Sequence, residues 1–130
     1  MTIMLWGITT ERVQAWLDGD GAAAGTLTGF AGSPGVAEGT ARVVITVDEL
    51  DRLQDGEILV APVTSPSWTP VFRRIRAAVS DIGGVMSHAA IVAREYGLPA
   101  VVGTGFATST IRTGQRIRVD GDNGVVTLLD

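Results

Sequence analysis

The chain contains no cysteine, no lysine and a single histidine. The absence of cysteine excludes disulfide bonds, thiol catalysis and most structural zinc sites. One imidazole cannot hold a metal alone, so we expect this chain to bind no metal. All ten basic residues are arginines, the net charge is −4, and no basic cluster carries interleaved aromatic residues. We therefore expect no nucleic-acid partner.

Long apolar runs and aromatic residues are also scarce. No apolar run approaches the ~18 residues that a membrane helix needs. The N-terminus lacks the basic region and apolar core of a secretory signal. We therefore expect a cytoplasmic protein with no membrane partner. Aromatic residues make up 5% of the chain and there are 17 glycines, which favours an aliphatic core with many tight turns.

The 130 residues fit one domain, but residues 1–26 differ from the rest. They combine a short helix, whose apolar stripe is formed by Val13, Trp16 and Leu17, with an Ala/Gly linker at 22–25. Such a helix is too short to be stable alone in water. We expect this N-terminal segment to dock either on the compact domain, residues 27–130, or on a partner.

From residue 27 onward, strand patterns alternate with helix patterns. We predict strands over 27–30, 39–47, 57–61, 78–81, 100–102, 116–119 and 125–129. Helical segments are predicted over 48–53, 68–76, 88–96 and, as a turn or short helix, 108–111. Turn sequences at 32–35 and 120–124 separate neighbouring strands. This order predicts an α/β domain with a mixed core rather than a regular doubly wound sheet.

The histidine occupies a position suited to phosphate chemistry. His88 follows Gly83, Gly84 and Ser87 and opens a predicted helix. The free N–H groups at a helix start, including that of Ala89, favour a phosphoryl group, and the Ser87 hydroxyl can donate to it. The helix start also lowers the pKa of the imidazole, which leaves a neutral nucleophile. On the residues alone, the alternative is a hydrogen-bonded histidine beside a plain glycine turn.

Four further residues are candidates for supporting roles. Arg94 either pairs with a carboxylate or assists a phosphate. Asp81 either orients the His88 ring by accepting its N–H or forms a turn. Ser65 and Thr69 lie in a loop that we expect near the histidine, where the alternatives are capping of the next helix and contact with a phosphate or a partner.

Four motifs in order give the chain a specific resemblance. They are GGVMSHAAIVAREYGLPAVVG at 83–103, GSPGVAEG at 32–39, TSPSWTP at 64–70 and DGDNG at 120–124. Together they resemble the mobile domain of the phosphoenolpyruvate (PEP)-utilising enzymes, such as pyruvate phosphate dikinase, PEP synthase, rifampicin phosphotransferase and phenylphosphate synthase. The resemblance implies a swivelling β/β/α phosphohistidine domain in which His88 carries a phosphoryl group between active sites.

The resemblance also implies a partner. Family enzymes load the histidine from an ATP-grasp domain, which this chain is too short to contain. We therefore expect a stand-alone carrier subunit of a split dikinase-type phosphotransferase, inactive without an ATP-grasp partner that binds ATP and Mg²⁺. The preferred acceptor is a phenol or cresol, as in aryl phosphate synthases, followed by pyruvate/PEP or a drug hydroxyl. The alternatives are a regulatory or partner-binding module of the same fold and an excised domain of PEP synthase or rifampicin phosphotransferase.

Overall fold

A computed structural model of the protein describes residues 25–129, which form a mixed sheet covered on both faces. The eight strands lie in the order β1-β8-β7-β3-β4-β5-β6-β2. The strands are β1 (Thr26–Thr28), β2 (Phe30–Ser33), β3 (Val36–Val43), β4 (Ile58–Ala61), β5 (Ala77–Ser80), β6 (Ala100–Val102), β7 (Arg116–Asp120) and β8 (Val125–Leu128). The helices are α1 (His88–Tyr96) and α2 (Ala107–Thr110), with 3₁₀ segments η1 (Val47–Arg52) and η2 (Pro66–Arg73). The predicted docking helix and residues 22–24 of the linker lie outside the described residues.

Strands β3 to β6 pair in parallel and form the buried centre of the sheet. Strand β4 is buried at all four positions because both of its faces are covered. Leu59 and Ala61 pack towards η2 and α1, whereas Ile58 and Val60 pack towards α2 and the antiparallel β7–β8 hairpin. The result is a layer of helices, a parallel sheet and a second β layer, which confirms the predicted α/β class.

The strand predicted over 39–47 lies instead at Val36–Val43. Two further predicted elements differ from the structure for local steric reasons. The predicted strand over 27–30 is interrupted at Gly29, where an added Cβ would overlap the Val102 carbonyl oxygen, and β1 and β2 lie at opposite ends of the strand order. The helix predicted over 68–76 begins earlier and is a 3₁₀ segment, η2, with Pro66 in its first turn and Pro70 inside it. Each proline lacks the N–H that an α-helical hydrogen bond requires.

Helix α1 has the predicted bounds, 88–96, because both of its ends are encoded locally. The Ser87 side chain accepts a hydrogen bond from the Ala90 N–H at the N-terminus. Gly97 adopts the left-handed conformation, φ +71°, at the C-terminus. Because α1 packs against β2, β6 and η2, its first residue is held where the β5–α1 loop meets η2.

Candidate functional site

The loop from β5 to α1 presents His88 at the start of the helix. Gly83 has a φ of +128°, and an added Cβ would lie 2.8 Å from the Ser87 Cβ, so the turn itself requires glycine. Gly84 has no such constraint, since an added Cβ would meet nothing within 4 Å. The two glycines therefore differ: Gly83 is required by the shape of the loop, whereas the described residues place no such requirement on Gly84.

The first turn of α1 supplies hydrogen-bond donors beside the histidine. The Ser87 hydroxyl oxygen lies 3.4 Å from the Ala90 nitrogen and accepts from it, which leaves the hydroxyl hydrogen available to donate. The N–H groups of His88 and Ala89 belong to the first turn, which has no partners within the helix. This is the arrangement that the sequence predicts for a phosphoryl site.

Both ring nitrogens of His88 contact threonine hydroxyls. The Nδ1 atom lies 2.7 Å from the Oγ1 of Thr64, and the Nε2 atom lies 3.1 Å from the Oγ1 of Thr69. The Phe72 ring meets the imidazole edge-on, with centroids 6.1 Å apart and an interplanar angle of 89°. Thr69 and Phe72 are three residues apart on η2, and side chains at this spacing eclipse in a 3₁₀ helix. The proline-rich sequence of η2 thus aims both side chains at the ring.

The environment of the ring favours the neutral imidazole. Partial burial lowers the pKa of His88, and the negative charge of Glu95 opposes this effect by raising it. The direction agrees with the sequence prediction, but the dominant cause is desolvation. A neutral ring keeps one nitrogen lone pair free, as a nucleophile requires.

This lowered pKa predicts a pH dependence of stability. The unfolded chain protonates His88 near its ordinary value of about 6.5, whereas the folded chain does so only at lower pH. The contribution of His88 to stability is therefore intact above that value and is lost as the pH falls through it towards the folded pKa. Urea unfolding across this window should show a steeper loss of stability for the wild type than for His88→Asn. Parallel curves would contradict the prediction, and NMR titration of the ring measures the pKa directly.

Of the two roles considered for Asp81, orientation of the His88 ring is not the one that its contacts support. Its carboxylate accepts from the backbone N–H of Thr108 at 3.0 Å and from the Thr108 hydroxyl at 2.5 Å. Asp81 therefore ties the end of β5 to α2, while the two threonines occupy the ring nitrogens. The physical reason is that, at the end of β5, the Asp81 side chain lies on the α2 side of the sheet, away from η2.

The side chains of Arg94 and Ser65 also form their hydrogen bonds with groups other than the ring. The Arg94 Nη1 donates to the Gly32 carbonyl at 2.5 Å, so the guanidinium fastens α1 to β2 rather than pairing with the expected carboxylate. The Ser65 hydroxyl lies 3.0 Å from the Ser67 hydroxyl, and Ser65 begins η2 through its backbone carbonyl, without a capping bond from its side chain. Of the four supporting candidates, only Thr69 contacts His88.

Sequence reasoning missed two residues of the site, Thr64 and Phe72. Thr64 opens the TSPSWTP motif, and its buried hydroxyl contacts the ring. Phe72 lies within the helix predicted over 68–76, but no role was assigned to it. The signal that could have found it is its spacing of three from Thr69 in a segment where two prolines disfavour an α-helix.

Two kinds of feature are absent from the part of the chain that the structure describes. Among residues 25–129, no group of three or more His, Cys, Asp or Glu side chains could hold a metal ion. Within the same range, no helix is long and apolar enough to cross a membrane.

A solitary histidine at a helix start, on a domain of two β layers and one helical layer, is the arrangement of a phosphohistidine domain. Residues 53–124 match the model of the family described as PEP-utilising enzyme, mobile domain. This match covers more than half of the chain, and the chain belongs to that family. Both the resemblance and the swivelling-domain fold predicted from the sequence are thereby confirmed.

Individual relatives agree with this assignment. The chain is 52% identical over 103 residues to rifampicin phosphotransferase of Bacillus subtilis (strain 168), covering 79% of this chain and 12% of the relative. It is 48% identical over 101 residues to PEP synthase of Aeropyrum pernix, covering 77% of this chain and again 12% of the relative. The solution structure of an Enzyme I fragment (nEIt) matches with a TM-score of 0.55 and 35% identity, over 62% of this chain and 33% of that one.

Both curated relatives are much longer than this chain. The chain spans about an eighth of the length of the two curated enzymes that it matches. It is a phosphohistidine domain of the dikinase-type phosphotransferases, a class whose members are transferases of phosphoryl groups.

Proposed function

We propose that the chain is a phosphoryl carrier that works in trans. His88 takes a phosphoryl group from ATP bound, with Mg²⁺, to an ATP-grasp partner and passes it to the hydroxyl of a small molecule. The observation that carries this proposal is the pair of threonine contacts that fix a neutral imidazole at the open start of α1. A ring held in this way is oriented before the phosphoryl donor arrives.

The two ring nitrogens are not equivalent, and Nε2 is the better nucleophile. Thr64 is buried, with 7% of its surface exposed, and its hydroxyl is 2.7 Å from Nδ1. Thr69 is half-buried, and its hydroxyl is 3.1 Å from Nε2. In the productive tautomer, Nδ1–H donates to Thr64 and the Nε2 lone pair accepts from Thr69. Rotation of the Thr69 hydroxyl then frees Nε2 for attack.

With this tautomer, every bond, electron pair and proton of the transfer is accounted for. The Nε2 lone pair attacks the phosphorus, and the phosphorus–oxygen bond to the remainder of the nucleotide breaks, with its electrons leaving on that oxygen. The ring keeps its Nδ1 proton and becomes a positively charged N-phosphoryl imidazole. In the second half-reaction, the acceptor oxygen attacks the phosphorus, its proton goes to a base at the acceptor site, and the P–N electrons return to Nε2.

The acceptor is proposed as a hydroxyl compound. A phenol or cresol is the acceptor preferred from the sequence. The name of the Bacillus subtilis relative adds the drug rifampicin, and that of the Aeropyrum pernix relative adds the pyruvate/PEP pair. All three classes accept or donate phosphate through an oxygen atom, so the same His88 chemistry serves each. The partner's acceptor site determines which of these compounds receives the phosphoryl group.

Intact mass measured under neutral-to-alkaline conditions tests the carrier role. The chain is mixed with ATP, Mg²⁺ and the ATP-grasp protein encoded nearest to it. We expect one acid-labile phosphoryl group per chain, which is lost on addition of the correct acceptor among phenols, pyruvate and rifampicin. If a partner that hydrolyses ATP leaves the chain unmodified, the carrier role with that partner is wrong, and the regulatory module gains support.

Replacement of Thr64 by valine tests the assignment of the nitrogens. The change preserves shape but removes the only partner that the described residues offer to Nδ1–H, so the productive tautomer is no longer favoured. We expect the single-turnover phosphorylation rate to fall about tenfold, the scale of one lost buried hydrogen bond. Thr64→Ser should recover most of the rate. Thr127→Val, a matched change on β8, should leave the rate unchanged, and equal rates in the two valine variants would overturn the assignment.

A further inference from the structure

A cleft of about 610 Å³ lies along η2, where it meets the C-terminal end of α1. It is lined by Pro66, Thr69, Pro70, Arg73, Arg74 and Tyr96. Thr69 connects this cleft to the reaction, because its hydroxyl is 3.1 Å from the His88 Nε2. A group bonded to Nε2 displaces that hydroxyl and therefore lies against Thr69, a residue of the cleft lining.

The two arginines of the cleft have different surroundings. The Arg74 Nε donates to the Asp55 carboxylate at 2.6 Å, and its Nη2 donates to the Leu53 carbonyl at 2.9 Å. Arg73 is exposed, and its guanidinium has no hydrogen bond or ion pair with any of residues 25–129. Arg74 is therefore paired, whereas the Arg73 guanidinium is available to a ligand.

We infer that Arg73 neutralises the phosphoryl group carried on His88, which lies in this cleft once it is bonded to Nε2. The inference rests on the proposed carrier function. A phosphoryl group brings negative charge that the first turn of α1 offsets only in part. Guanidinium groups bind phosphate through two parallel N–H donors. Arg94, the basic residue on α1, already donates to Gly32.

Arg73 acts on the phosphoryl group rather than on the ring. Burial lowers the pKa of the unmodified His88, and the charge of Glu95 opposes this effect. A role on the phosphoryl group alone predicts that loss of the Arg73 charge leaves the titration of the unmodified ring unchanged. This separates a role in holding phosphate from a general disturbance of the site.

The experiment uses the full chain and phosphoramidate, which phosphorylates imidazoles without a partner protein. The P–N bond of the reagent breaks as the Nε2–P bond forms, and the nitrogen leaves as ammonia. Phosphorus NMR follows the rate of formation and the pH titration of the phosphoryl signal. The variants are Arg73→Gln, Arg73→Lys and, as a matched loss of charge, Arg112→Gln. Arg112 is exposed and follows Ile111, which packs in the core on the opposite side of the sheet.

We expect Arg73→Gln to be phosphorylated about tenfold more slowly, the scale of one charge-assisted contact, and its phosphoryl signal to titrate at higher pH. Arg73→Lys should recover part of both effects, and Arg112→Gln should match the wild type. If the wild type is phosphorylated and Arg73→Gln behaves like Arg112→Gln, the inference is wrong while the carrier proposal stands. If the wild type stays unmodified while free imidazole reacts, both are overturned.

Discussion

Replacing His88 with asparagine should abolish phosphorylation of the chain. Asparagine retains an amide that can hydrogen-bond to Thr64 or Thr69, but it has no nitrogen lone pair able to attack phosphorus. Since His88 is the only histidine, no other imidazole can replace it. We expect a decrease of at least ~10³-fold, the scale seen when a nucleophile is removed. Intact mass with ATP, Mg²⁺ and the ATP-grasp partner, and separately with phosphoramidate, measures the loss.

The control for this experiment is a variant that lacks a nearby hydroxyl. Ser67 is exposed on η2 and hydrogen-bonds to Ser65, so Ser67→Ala removes an alternative phosphate acceptor close to the site. We expect Ser67→Ala to be phosphorylated like the wild type and the adduct to remain acid-labile. An adduct that persists in His88→Asn, or that survives acid, would place the nucleophile elsewhere and end the phosphohistidine interpretation for this chain.

Replacing Phe72 with alanine should produce the largest loss of stability. The Phe72 side chain is 1% exposed and packs in the core between the sheet, η2 and α1, with its ring against the His88 imidazole. The substitution removes the transfer free energy of the ring and leaves a cavity, which together cost about 3–5 kcal/mol. A cost of this size is a large part of the stability of a small domain. The midpoint of urea unfolding measures it.

A matched control comes from Phe106, which is 66% exposed. Phe106→Ala removes the same atoms without creating a buried cavity, so we expect a change within about 0.5 kcal/mol. Phe72→Leu approximately conserves the volume and should cost less than about 1.5 kcal/mol. Similar midpoints for Phe72→Ala and Phe106→Ala would show that the η2–α1 core contributes much less to stability than its burial implies.

The part of the site that lies within a few residues of His88 could be predicted from the sequence. Ser87 caps α1, Gly83 adopts a conformation that favours glycine, and Gly97 ends the helix. Each of these features depends on backbone geometry within one or two turns, which the local residues encode. The helix start at His88 was therefore predicted at the position where the structure has it.

The partners of the ring could not be predicted in the same way. Thr64 and Thr69 precede His88 by 24 and 19 residues, and no local pattern indicates that their hydroxyls reach the ring. Asp81 is nearer in sequence, but the course of β5 carries it to Thr108 instead. Proximity along the chain was a poor guide because a strand and its following loop can turn towards either face of a sheet.

The sequence by itself determined the family, the α/β class, the bounds of α1 and the position of His88 at its start. These follow from motifs and from hydrogen bonds that close within a single turn. Only the tertiary structure decided which hydroxyl faces each ring nitrogen and which arginine remains available to a phosphate. Those contacts exist because η2 packs across α1 over a shared apolar core, and such packing depends on the whole sheet rather than on any one segment.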